Sequence, residues 1–415
     1  MGEEIDSRGR GADAARCRSP FILGIGTGVL IALLAVGLSI LVFRPVIVLG
    51  GGQYENGMDQ QQMTELLSKA NRIIHTIEKE YILEDVAVED LVEGMYKGLM
   101  DVLEDRYAAY YTAEEYAEIK INTEGSYGGV GISVAGQEVV SVYEGSPAAE
   151  AGVQAGDRLV AVEGENVSEM SSEDLRSRIS GQIGEVRNLT FYRPADGSTY
   201  DVAITLAKVE IPTVFWHEIE NGIMYLQITS FDTVTEDQFE KAWQEMMDAG
   251  MKGLILDLRD NLGGSLNAVL AVADKLIPEG LIAYTENKQG ERQEFYAEGE
   301  GIQAPMAVLV NEYSASASEL LSGALKERDV AVLVGTTTFG KGIVQTTWSL
   351  SDGTAYKMTT AKYYTPEGNN IHGTGITPDI EIDLTEEQKQ MSEVPEEEDI
   401  QLQTALEAIR TELGE

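Results

Sequence analysis

Cysteine, histidine, proline and basic residues are all scarce in this chain of 415 residues. The one cysteine, Cys17, lies near the N-terminus. No intrachain disulfide can form, and no thiol nucleophile or cysteine-based metal site fits the rest of the chain. The three histidines, His75, His217 and His372, are scattered, and none has a partner at metal-ligand spacing. A catalytic base must therefore come from another residue type, and no metal or other cofactor is implied. Lysine and arginine number 30 against 70 aspartates and glutamates, a net charge of −40. A surface that acidic repels nucleic-acid phosphates, which excludes nucleic acid as a partner. With 43% hydrophobic and 24% charged residues the composition is that of a globular protein, and the length predicts two or three domains.

One long hydrophobic run is present. Residues Phe21 to Phe43 carry no charge and are mostly Ile, Leu, Val, Gly and Ala, enough to cross a hydrocarbon core of about 30 Å as a helix. Arg10, Arg16 and Arg18 precede the run, and the chain from Gly50 onward is acidic. The positive-inside rule puts the N-terminus in the cytoplasm and everything after Arg44 outside. A cleaved signal peptide would have a shorter apolar core followed by a small-x-small site. The expectation is a retained, single-pass signal anchor in the cell membrane.

Beyond a glycine linker at Gly50–Gly52, apolar residues recur at helical spacing from Met63 through Leu66, Leu67, Ala70, Ile73, Ile74, Ile77 and Tyr81, and again at Leu91, Met95, Leu99 and Leu103. Thr112 and Glu115 have the spacing of a capping box that opens a third helix. From about Gly125 short strands and turns take over. Tyr127-Gly128-Gly129-Val130-Gly131-Ile132 leads into an alternating strand. It is followed by Ser146-Pro147-Ala148-Ala149-Glu150-Ala151-Gly152-Val153 and by Gly156-Asp157 before Arg158–Val162. These segments, in this order, resemble a PDZ domain of the bacterial protease type. A glycine-rich loop with free backbone N–H groups can receive a terminal carboxylate, and the adjacent strand edge can pair with a peptide. The candidate residues are Gly129, Val130, Gly131 and Ile132.

After residue 208, strand-like runs (Ile223–Ile228, Leu254–Leu258, Met306–Val310, Ala331–Val334, Tyr356–Thr360) alternate with helical ones (Glu236–Asp248, Leu266–Leu276, Ala315–Lys326), the pattern of an α/β domain. Two stretches in it carry chemistry. Asn311 to Glu319 holds Ser314, Ser316 and Ser318 between a buried strand and a helix. Serine there is most often a cap; a nucleophile at the same place would use the dipole and free N–H groups of the helix start, and Ser316 or a neighbour fits. Its base is sought in Thr338-Phe339-Gly340-Lys341-Gly342-Ile343-Val344-Gln345, where apolar neighbours suggest a buried lysine whose neutral amine can take a proton. Gly335 to Lys341 also has the spacing of a phosphate-binding loop, but Gly342 stands where that loop needs Ser or Thr for Mg²⁺, so an NTPase is a minor rival.

Ser314–Glu319, Thr338–Gln345, Asp257-Leu258-Arg259-x-Asn261-x-Gly263-Gly264, Tyr364-Thr365-Pro366-x-Gly368 and Gly375-Ile376-x-Pro378-Asp379 together resemble the carboxyl-terminal processing (tail-specific) serine proteases. The resemblance implies Ser316 as nucleophile, Lys341 as general base and Gln345 as its orienting partner. The oxyanion would be held by the backbone N–H of Ala317 and of one of Gly263 and Gly264. It also implies a core related to the ClpP/crotonase fold, and protein or peptide substrates with free, apolar C-termini. Leu262 and Arg106 stand where relatives have proline, and neither is expected to touch the chemistry. Ser180 stands where relatives often carry arginine.

The fold class expected is a multidomain α/β protein. It comprises a cytoplasmic tail (1–19), a transmembrane helix (20–45), a linker (46–58), a small helical domain (59–115), a PDZ β-domain (116–207), a protease core (208–385) and an acidic C-terminal tail or helix (386–415) that is available to dock back or contact a partner. A membrane-tethered PDZ adaptor on an inactive protease-like domain is the alternative. A homodimer is compatible with the sequence, which fixes no oligomeric state.

Overall fold

A computed structural model describes residues 58–391 and 394–414. The expected cytoplasmic tail and the anchor at 20–45 lie outside the described residues. Among those described, no helix is long and apolar enough to cross a membrane. The chain divides into two units at Leu91/Val92.

The first unit holds α1 (Gln60–Glu80), capped by Asp59 and Gln62 in a reciprocal box. Helix α2 (Val88–Asp101) spans the division, and β1 (Ala109–Tyr111) and α3 (Ala113–Glu124) follow. The Thr112–Glu115 box is made in both directions, and α3 runs past the expected boundary at 115 to a left-handed Gly125. No residue of the three helices is buried, so they enclose no core of their own. An apolar stripe predicts a helix but not the surface that covers it.

From Ser126 the chain builds a β-domain: β2 (Ser126–Gly129), β3 (Ile132–Ala135), β4 (Glu138–Val142), the short α4 (Pro147–Glu150), β5 (Arg158–Val162), β6 (Glu165–Asn166), α5 (Ser172–Ile179), β7 (Val186–Arg193), β8 (Ser198–Thr205) and β9 (Ala207–Glu210). The main sheet has the order β3-β4-β5-β7-β8, which leaves β3 at an edge, and β2 pairs with β9 where the chain enters and leaves. Its core includes Val130, Val139, Leu159, Leu175, Leu189 and Phe191. The Gly156-Asp157 signature has a physical role here. The buried Asp157 carboxylate accepts bonds from Arg193 Nε (2.8 Å) and Nη2 (2.7 Å), the Tyr200 hydroxyl (2.7 Å) and the Gln154 N–H (2.8 Å). The bonds from Arg193 are the main reason its pKa falls to about 2.

The remainder forms three layers. In order come β10 (Val214–Glu220), β11 (Ile223–Ile228), α6 (Thr235–Asp248), β12 (Gly253–Asp257), α7 (Leu266–Leu276), β13 (Gly280–Asn287), β14 (Arg292–Ala297), β15 (Met306–Val310), α8 (Ala317–Glu327), β16 (Val332–Gly335), β17 (Ile343–Ser349), β18 (Ala355–Tyr364), β19 (Ile380–Glu381) and α9 (Ile400–Leu413). The central sheet runs β10-β11-β12-β15-β16-β19, parallel from β11 onward. Its central strands β12 and β15 are buried on both faces and so read as continuous apolar runs. Met224, Leu226, Leu254, Leu256, Val308 and Val310 face α6, α7 and α8. Ile223, Ile255, Ala307 and Leu309 face the other way, onto Leu402, Ala405, Leu406 and Ile409 of α9. The expected tail is thus a layer of the core. A second sheet, β1-β18-β13-β14 with β17 on β18, carries one wall of the cleft described next.

Candidate active site

A cleft of about 580 Å³ is lined by Ser316, Ala317, Gly263, Gly264, Lys341 and Gln345, and by Phe231, Leu262, Thr347, Lys357 and Tyr363. The six core residues to which the resemblance gives a part in the chemistry therefore line one cleft. The three alternating serines separate by their bonds. Ser314 Oγ donates to Leu258 C=O (2.8 Å) and Ser318 Oγ to Asn261 C=O (2.9 Å), and both serines are fully buried. They fasten the nucleophile turn to the loop after β12. Ser316 alone of the three lines the cleft, at the N-cap of α8, with φ +57° and ψ −111° and no side-chain capping bond. A non-glycine residue at positive φ carries roughly 1–3 kcal/mol of strain, which the surrounding bonds must hold.

Much of that holding comes from Glu319, which the sequence reading left without a role. Its carboxylate is fully buried and accepts four bonds: from the N–H groups of Ser316 (2.9 Å), Gly340 (2.7 Å) and Lys341 (2.8 Å) and from the Thr338 hydroxyl (2.6 Å). Four donors match its four lone-pair sites. One side chain thus locks the turn bearing Ser316 to the loop bearing Lys341. The available signal was its position three residues after Ser316, the spacing of a capping box. The closing motif braces the same loop: Thr338 Oγ1 accepts the Ile376 N–H (2.8 Å), and Asn370 Nδ2 donates to Gly342 C=O (3.0 Å).

The phosphate-loop rival fails on these contacts. The N–H groups of Gly340 and Lys341 already hold an internal carboxylate, and β17 follows the lysine where a nucleotide site needs a helix N-terminus.

Lys341 is half-buried. Its Nζ lies 4.7 Å from the centre of the Tyr107 ring and makes no hydrogen bond among the described residues. Burial, then the charges of Lys357 and Arg106, push its pKa below the usual lysine value, against a weaker pull from Glu319 and Asp105. Arg106 thus acts on Lys341 through its charge, an effect the sequence did not show, and Leu262 is an exposed residue of the cleft wall. The reason is topological. β1 pairs with β18 (Ala109↔Lys357), and the segment just before it brings Asp105, Arg106 and Tyr107 near the lysine. Gln345 Nε2 donates to Thr359 Oγ1 (3.2 Å) and not to Lys341.

The glycine pair divides. Gly263 N–H donates to Asn261 Oδ1 (2.8 Å), whereas the N–H groups of Gly264 and Ala317 have no acceptor among the described residues. Gly263, at φ +98°, must be glycine, because a Cβ there would lie 2.8 Å from Ala317 N and obstruct that donor. In the β-domain, Gly131 (φ +86°) is pinned by Ser146, whose Oγ donates to its carbonyl (3.1 Å), and Ala148 N–H bonds Val130 C=O (2.8 Å). The Ser-Pro-Ala segment thus shapes the Gly129–Ile132 loop, and the Gly131 N–H is without a partner among the described residues. Ser180 bridges Gly129, and its carbonyl accepts from Arg187 Nη2 (3.0 Å).

Residues 222–382 match the profile of peptidase family S41 and residues 138–193 that of a PDZ domain. Carboxy-terminal processing protease CtpA of Bacillus subtilis is 33% identical over 76% of this chain and 69% of its own length. The carboxyl-terminal-processing protease of Picosynechococcus is 32% identical over 75% and 77%. A solved photosystem II D1 C-terminal processing protease is 31% identical, covering 75% of this chain and 86% of that one with a TM-score of 0.45. The chain belongs to the carboxyl-terminal processing peptidases, serine proteases of family S41 that here carry a PDZ domain.

Proposed function

We propose that this chain is an endopeptidase that engages substrate C-termini through the Gly129–Ile132 loop and cleaves by acyl transfer with a Ser316–Lys341 pair. The observation that carries the reading is Glu319, which binds the backbone of both residues across one cleft. The neutral Lys341 amine takes the Ser316 hydroxyl proton as Oγ attacks the scissile carbonyl. In doing so Nζ leaves the Tyr107 ring, a side-chain rotation. The oxyanion forms against the Ala317 and Gly264 N–H groups, and the ammonium then returns the proton to the departing amine. Water attacks the acyl-enzyme by the same route in reverse. Gln345, beside the lysine on β17, steadies the amine once it turns toward the serine.

Lys341→Arg keeps the charge, but guanidinium cannot accept a proton at any workable pH. Peptide cleavage by this variant and by Ser316→Ala should fall about 10²–10⁴-fold or more, with melting temperature and peptide binding retained. In the unsubstituted enzyme, kcat/KM should rise with pH as Lys341 loses its proton, the limb lying below the usual lysine value. Substantial cleavage by purified Lys341→Arg would refute the mechanism.

The apolar run at 21–43 and its upstream arginines support a second element of the proposal, a single-pass anchor with the peptidase outside the cytoplasm. Protease added to intact protoplasts should digest the domains and spare the N-terminal tail. A chain recovered entirely in the soluble cytosolic fraction contradicts this.

A further inference from the structure

The charge of the cleft runs against that of the chain. Lys341 and Lys357 both line it, and Arg106 stands alongside, its Cζ 5.0 Å from the centre of the Tyr107 ring on which Lys341 Nζ rests. Among the described residues none of the three has a carboxylate within ion-pair distance, in a chain with 70 acidic residues. Aromatic faces support them instead: Lys357 Nζ is 5.4 Å from the Tyr111 ring, and Arg106 Cζ is also 5.7 Å from Phe339. A ring face stabilises a cation yet leaves N–H donors free for a ligand. The nearby acids are otherwise engaged. Asp105 accepts from the Thr359 and Tyr107 N–H groups, and Asp232, on the opposite wall, is bonded by the Ser230 hydroxyl.

Position gives this cluster a reach. Lys357 lies opposite Thr347 on the β17–β18 ribbon, and Gln345, Thr347 and Lys357 all face the cleft. Thr347 is two residues beyond Gln345, about 7 Å along the strand. Like charges gathered without a counter-ion repel one another, and a substrate carboxylate placed there relieves that repulsion.

We propose that Lys357 and Arg106 form a carboxylate-binding subsite of the cleft. It takes an acidic side chain or the free C-terminus of a substrate, within about two or three residues of the bond to be cut. This rests on the reading of the cleft as the site of peptide cleavage.

The test uses the full chain and two sets of peptides without other charged side chains. In one, Glu or Gln occupies each of the three positions on either side of the scissile bond, with a distant, constant C-terminus. In the other, the peptide ends two residues past that bond as acid or amide. The carboxylate form should be cleaved with kcat/KM about 10-fold higher, the order expected of one charge-assisted bond, and the responding set identifies the source of the carboxylate. Lys357→Gln should bring the ratio close to one, Lys357→Glu should invert it, and Arg106→Gln should lower it. Ratios near one throughout, or unchanged in both Lys357 variants, overturn the subsite while leaving cleavage itself standing. So does a Lys357→Gln enzyme whose pH–rate limb moves while its Glu/Gln ratio does not, because the cations then serve only to tune Lys341. Failure of the unsubstituted enzyme to exceed Ser316→Ala on any peptide overturns the peptidase reading, and the subsite with it.

Discussion

Glu319 is the residue on which the two halves of the site depend. It touches no reacting atom, so it is a positioning residue, and two kinds of effect follow from its removal. Glu319→Gln leaves a single carbonyl oxygen to accept and turns an amide NH₂ toward backbone N–H groups, so at least two of the four bonds are lost. Unsatisfied buried donors cost about 1–3 kcal/mol each. A fall in melting temperature and a loss of about 10²-fold in kcat/KM are the expected outcomes, the latter because Ser316 and Lys341 lose their common reference. A purely structural role would stop there. The Glu319 charge also pulls the pKa of Lys341 upward, so the neutral glutamine should lower that pKa further. The rising limb of the kcat/KM profile should therefore move to lower pH in the variant. An unmoved limb would confine Glu319 to packing.

At the scale of elements, α9 is held to the rest of the site by more than its apolar stripe. Asp399 caps it, accepting from the Gln401 and Leu402 N–H groups, and its other oxygen receives Arg259 Nη1 at 2.7 Å. Arg259 in turn grips the buried Asp257 at the start of the loop that ends in Gly263 and Gly264. Asp399→Asn should cost about 3 kcal/mol, the order for breaking one partner of a buried ion pair, read as a lower urea midpoint at unchanged slope. An effect under about 0.5 kcal/mol, the range of an ordinary surface substitution, would mean the pair is idle. The sequence left 386–415 as a tail or helix free to dock back or to meet a partner; it showed neither which of the two holds nor the Arg259 contact that fastens the helix. What was legible follows from burial. Ile223–Ile228, Met306–Val310 and Leu266–Leu276 were read to the residue, because full or one-sided burial writes an unbroken or helically spaced apolar pattern. β13, β14 and β17 were not read, being half-exposed and mixed with Glu, Gln and Thr. The motifs brought Ser316, Lys341 and Gln345 together. They could not show Arg106 and Tyr107, which reach the lysine only through the pairing of β1 with β18.

At the scale of the molecule, the PDZ domain is an insertion whose ends meet. The Ile211 N–H donates to Gly125 C=O at 2.7 Å, and Ser126 pairs with Glu210 directly beyond. Its core is a separate cluster from the one under the central sheet, which is the arrangement of an inserted domain that could fold alone. The junction, however, is not inert. Thr233 N–H bonds Thr123 C=O (3.0 Å), and two residues back Phe231 bonds both sides of Gly264, through Gly263 C=O (3.0 Å) and the Ser265 N–H (2.5 Å). Excision of 126–210, with 125 joined to 211 by a short glycine linker, should therefore leave the three-layer core folded, with one cooperative thermal transition and the cleft residues in place. Peptides whose binding depends on their C-terminus should be affected most. The intact enzyme should cleave a long peptide acid faster than its amide, through the Gly131 N–H that has no partner among the described residues, and the excised core should treat the two alike when the C-terminus lies far from the scissile bond. Two results would count against this account. An excised chain that fails to fold would show that the two cores are not independent, and a persisting acid-over-amide preference would place recognition of distant C-termini outside the Gly129–Ile132 loop.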